Sequence, residues 1–167
     1  MHRIGYKPLI FMIIAAGLAQ ASSFDYIIFS GAKPDILLIL IIFASLLLEG
    51  RDVIKCAVIA GIFKDMSSSL IAGSHVAAFI LLALVLNTQK KKFYSQKPLV
   101  QIGLSFVSYI FMDTCVFILN AIAYRRSGVL CFPVMPILKA AAYTCIVSPV
   151  VFVVASKVLR IDLSRAY

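Results

Sequence analysis

The chain predicts an all-α integral membrane protein, a bundle of six transmembrane helices with both termini in the cytoplasm. Three observations carry that prediction. Of 167 residues, 62% are hydrophobic and 14% charged, with a mean hydropathy of +1.03; soluble domains hold roughly 45–50% apolar residues. The apolar residues gather into six runs separated by short segments that hold most of the charge. Basic residues are distributed unevenly between alternate segments, as the two sides of a membrane require. A soluble fold of this length could not cover so much apolar surface, so lipid is its solvent. The runs form one domain, residues 1–167, with no room for a separate soluble one.

The first run, Leu9–Ala21, follows Arg3 and Lys7 and ends in Ala19-Gln20-Ala21, which imitates a signal peptide. Later spans demand insertion in either case, and we read this run as the first transmembrane helix. Ala15 and Ala19, four residues apart with Gly17 between them, offer a close helix–helix contact. Gly31-Ala32-Lys33-Pro34 is turn chemistry, and Pro34 suits the first turn of a second helix. Asp35 complements that helix's positive end. The second span, Ile36–Leu48, stops at the charged turn Glu49-Gly50-Arg51-Asp52.

The third span runs from about Val53 to Leu70, and Gly73 separates it from the fourth, Ser74 to about Leu86. Asn87–Pro98 is a basic loop with Lys90, Lys91, Lys92 and Lys97. Leu99–Tyr124 is the fifth span and holds Asp113 and Asn120. Arg125, Arg126 and Gly128 mark the next loop. The sixth span covers about Ile137–Leu159, with Lys139 near its start and Pro149 inside it.

With the N-terminus inside, eleven Lys and Arg residues lie in cytoplasmic segments and three (Lys33, Arg125 and Arg126) outside. That asymmetry fixes the orientation for short loops. It also accounts for the net charge of +9 without nucleic acid, since the basic residues sit in short flanks and not on one folded face.

Orientation converts sequence position into depth. Span three enters from the cytoplasm, so Lys64 and Asp65 lie roughly 17 Å along it, past the middle of a core about 30 Å thick. Asp113 lies beyond the midpoint of span five, and Lys139 in the outer half of span six. His75 and Asp35 sit at the outer ends of spans four and two. Six ionisable groups from five spans thus share one level, where each costs several kcal/mol unless it has a partner or a purpose. In the structural account Lys139 pairs with Asp113, Lys64 snorkels outward and Asp65 caps the serine-rich turn. In the functional account they line an outward polar cavity or a socket for another helix.

No enzyme chemistry is expected. Ser67, Ser68 and Ser69 lack a histidine–carboxylate arrangement at recognisable spacing, and there is no Gly-rich phosphate loop. Cys56, Cys115 and Cys145 lie in apolar runs and Cys131 in a loop, without CxxC spacing, so neither a metal nor another cofactor is expected.

Four local patterns, in this order, resemble the rod shape-determining MreD family. They are Pro34-Asp35-Ile36-Leu37-Leu38, Gly61-Ile62-Phe63-Lys64-Asp65 with its trailing serines, Gly73-Ser74-His75, and Ser148-Pro149. The chain departs from that pattern at Lys64 and Lys139, where apolar residues are expected. The resemblance implies a multi-pass, non-catalytic protein of the bacterial inner membrane, working in the elongasome that directs lateral peptidoglycan synthesis and cell shape. Its implied partners are an MreC-like single-span periplasmic protein and, in the same assembly, the MreB filament, a RodA-type glycosyltransferase and a class B penicillin-binding protein. The family's fold is also similar to the substrate-binding S-components of energy-coupling-factor vitamin transporters. An S-component is therefore the alternative expectation; the lack of Trp and of outer aromatic residues stands against it.

Overall fold

The structure, a computed structural model, describes residues 6–22, 33–68, 71–89, 98–123 and 134–159. These form six α-helices: α1 (Tyr6–Ser22), α2 (Ile36–Leu47), α3 (Gly50–Met66), α4 (Ser74–Thr88), α5 (Pro98–Ala123) and α6 (Val134–Val158). No strand occurs among the described residues. Among the described residues, α5 and α6 are long and apolar enough to cross a membrane by length and composition; α1, α2 and α4 are shorter apolar helices.

The centre of the bundle is α2. Pro34 and Asp35 start it, and the Asp35 Oδ1 accepts the Leu38 N–H at 3.1 Å as its N-cap. Every residue from Leu37 to Ser45 is buried, because all five other helices pack around it. A helix apolar on all faces is what such a central position requires. At its far end the Asn87 amide of α4 donates to Ser45 O at 3.1 Å and Leu48 O at 2.9 Å. Those carbonyls lack helical partners, so Asn87 supplies what the helix end needs.

Two glycines permit close crossings around it. A Cβ on Gly61 would lie 2.5 Å from the Val76 Cα, so α3 and α4 meet there backbone to backbone. A Cβ on Gly17 would lie 2.7 Å from the Phe63 Cγ, which seats α1 on α3. This corrects the expected packing face of α1. Leu9, Ile13 and Gly17, spaced by four, face inward, whereas Ala15 and Ala19 are exposed on the opposite side.

On α6, Pro149 removes the N–H that would bond to the Cys145 carbonyl. The Ser148 hydroxyl donates to that same carbonyl at 3.0 Å, so the helix continues to Val158. Phe152 meets Phe43 of α2 edge to face, with ring centroids 5.4 Å apart. Thr144 of α6 meets Asp35 of α2. Both contacts are separated by eight residues on each helix, so α2 and α6 run parallel. The third apolar run ends as a helix at Met66, where the Ser67 and Ser68 hydroxyls donate to Phe63 O and Asp65 O. Asn87 and Thr88, expected in the basic loop, extend α4, while residues 90–97 of that loop, Arg125, Arg126, Cys131 and the tail lie outside the described residues.

Candidate functional site, a polar layer at the helix ends

Where α3 turns back into α4, Gly73 takes a left-handed backbone (φ 95°) that side chains rarely adopt, and it offers no side chain to cap α4. Asp65 supplies the cap from the preceding helix. Its Oδ2 accepts the Gly73 N–H at 2.8 Å and the Val76 N–H at 3.4 Å, while its Oδ1 accepts the His75 N–H at 3.0 Å. The same oxygen lies 2.8 Å from the His75 Nδ1. An ionised carboxylate only accepts, so Nδ1 carries the proton. Both side chains are buried, and the carboxylate faces the positive end of α4. Asp65 therefore caps the next helix and not the serine-rich turn before it.

Asp35 does the corresponding work for α2. Besides the cap, its Oδ2 lies 2.6 Å from the Lys64 Nζ, and its own N–H donates to the Thr144 hydroxyl at 3.1 Å. Asp35 is fully buried, whereas the Lys64 side chain keeps 28% of its exposure. Lys64 thus pairs across the bundle, at the outlet of the layer, and does not simply snorkel to the outside. Adjacent on α3, Lys64 and Asp65 diverge to different partners, as a step of about 100° dictates.

Asp113 is half-buried on α5, four residues from Tyr109, whose hydroxyl bonds its carboxyl. Lys64 and Asp35 lie within electrostatic reach of it. Lys139 is the exception to the expected convergence. It is exposed near the start of α6 and forms no ion pair with Asp113; the charged neighbours that act on Asp113 are Lys64 and Asp35. Asp35, Lys64, Asp65, His75 and Asp113 come together, and Lys139 does not.

Sequence reading missed three further members. Asn120 accepts the Ile71 N–H at 3.2 Å through Oδ1 and donates to Val116 O at 2.8 Å, tying α5 to the α3–α4 turn. Gln20 donates to Pro34 O at 3.1 Å, and Thr144 receives the Asp35 N–H. Each is a lone amide or hydroxyl in an apolar run. That is the signal that could have found them, since an unpartnered polar group in hydrocarbon is costly.

Chemically the layer joins helix ends. The partner of the His75 ring among the described residues is the Asp65 carboxylate. Those residues also contain no group of three or more His, Cys, Asp or Glu able to hold a metal, and Cys56, Cys115 and Cys145 are free thiols.

The fold is an all-α bundle of apolar helices, two of them long enough to cross a membrane, in which the Asp35 and Asp65 carboxylates cap helix starts. The sequence matches the family described as rod shape-determining protein MreD over residues 3–158, nearly the whole chain, and the protein belongs to that family. It is accordingly a membrane protein of the rod-shape system, in a family of shape-determining components not known as enzymes. No curated protein and no solved structure gives a match.

Proposed function

We propose that this chain is a non-catalytic scaffold of the elongation machinery in the bacterial cytoplasmic membrane. It crosses the membrane six times, with both termini cytoplasmic and the polar layer beneath the external face. A rigid bundle in this orientation presents an outer-leaflet surface to the transmembrane helix and periplasmic stem of an MreC-like partner. Through that partner it helps keep lateral peptidoglycan synthesis, with its MreB filament, RodA-type glycosyltransferase and class B penicillin-binding protein, organised into a rod.

The observation that carries this reading is family membership over residues 3–158. The polar layer agrees with it, because the lone pairs of Asp35 and Asp65 hold the starts of α2 and α4 in place. The test is purification from native membranes in mild detergent. An MreC-like protein is expected to co-purify with the intact chain. Recovery of folded protein without that partner, but with a retained small molecule, would overturn the reading in favour of an S-component.

A further inference from the structure

The two halves of the bundle expose apolar bands of different height. On α3 the outward face carries Ile62 and Met66 and is bounded by the exposed Lys55, paired with Asp52, at one end and by Ser67 at the other. On α4 it carries Leu81, Leu84 and Val85 and is bounded by Gly73 and by Thr88. Lys55 to Ser67 spans about 18 Å and Gly73 to Thr88 about 22 Å at the helical rise. The outward face of α5 runs without a charge from Leu99 to Ile122, and that of α6 lies between the exposed Lys139 and Lys157. Those are about 35 and 27 Å.

A hydrocarbon core is about 30 Å thick. The α5 band fits it by tilting and the α6 band nearly matches it, but tilt only lowers the height of α3 and α4 further, which leaves them short by about 8 to 12 Å. Their polar ends are also fixed in place. The Asp65 carboxylate and the Lys64–Asp35 pair hold one end, and Asn87 holds the other.

We propose that the α3–α4 face is bordered by a locally thinned bilayer, while lipid beside α5 and α6 keeps its full thickness. The occupant of this face is the acyl chains themselves. Its exposed large side chains, Ile62, Met66, Leu81, Leu84 and Val85, are apolar, and the charges on this stretch, Lys64 and Asp65, are committed to Asp35 and to the start of α4. The inference rests on the membrane-embedded bundle proposed above.

The chain has no Trp, so a single one reports locally. Leu81→Trp and Val107→Trp each replace an exposed aliphatic side chain, at 48% and 65% exposure. Each full-length variant is reconstituted in vesicles that mix a short-chain phosphatidylcholine brominated on its acyl chains with a long-chain unbrominated one, and then in the reverse pair. The Leu81→Trp reporter should be quenched as though the short lipid were enriched about twofold over its bulk share, and the Val107→Trp reporter in proportion to bulk. Equal behaviour at both sites overturns the proposal, as does enrichment of long-chain lipid at Leu81→Trp. Quenching at Val107→Trp alone means that protein covers the α3–α4 face, which also overturns it. Absence of quenching at both, without flotation of the protein with vesicles, instead strikes the membrane reading itself.

Discussion

The two ends of the α2–α4 unit are held by opposite chemistry. At one end α2 and α4 begin, and the groups that hold them are buried carboxylates, Asp35 and Asp65, with Lys64 and His75 as partners. At the other end α2 stops, and a neutral amide, Asn87, suffices. The charges near that second end stand toward solvent: Lys55 and Asp52 pair at 2.9 Å with 53% and 34% of their side chains exposed. The difference follows from helix polarity. A starting helix leaves N–H donors without partners and concentrates positive potential, so it favours an anion; an ending helix leaves carbonyls, which need only a donor. Charge is placed deep where several donors converge, and neutral groups serve where acceptors do.

That contrast orders the effects of mutation. The largest belongs to Asp65→Ala, which leaves the Gly73 and His75 amides and the His75 ring without their shared acceptor. A loss of about 3–4 kcal/mol is expected in unfolding measured by circular dichroism in mild detergent. Asp65→Asn keeps one acceptor oxygen and should lose about half as much. Equal losses for the two variants would mean that the charge, and not the cap geometry, carries the effect. Next comes Lys64→Met, which strands the buried Asp35 carboxylate. Partial exposure of Lys64 lets water relieve some of the penalty, so about 2 kcal/mol is expected in the same measurement.

How much of this the sequence disclosed depends on how far each partner lies along the chain. Pro34-Asp35 announces a helix start locally, and the cap forms three residues on, at Leu38. The partner of Lys64 is Asp35, separated by a hairpin, and the donors to Asp65 lie across the α3–α4 turn. Neither pairing has a local signature, although the shared level of these groups does follow from span order. The packing face of α1 was illegible for another reason. Lys7–Gln20 is apolar on every side, so nothing in its periodicity separates the buried Gly17 from the exposed Ala15 and Ala19. Only the ring of Phe63 chooses between them.

Asn87 tests the neutral end. Asn87→Ala removes both donors to the last carbonyls of α2, and those carbonyls are buried beneath α4. The expected loss is about 1–2 kcal/mol, below that of Asp65→Ala because no charge is stranded. A loss as large as that of Asp65→Ala would break the contrast between the two ends.

The smallest effect sharpens the boundary of the charged end. Lys139 stands at the depth predicted for the polar layer, yet it is exposed on α6 and has no ion pair with Asp113. If convergence in the structure, and not depth in the sequence, decides which charges matter, Lys139→Ala should change stability by no more than about 0.5 kcal/mol, as for most surface substitutions. The same denaturation measurement, run beside Lys64→Met, separates the two lysines directly. Equal losses would place Lys139 within the cluster, next to Asp113, and would undo the contrast between the lysine that pairs with Asp35 and the one that stands exposed.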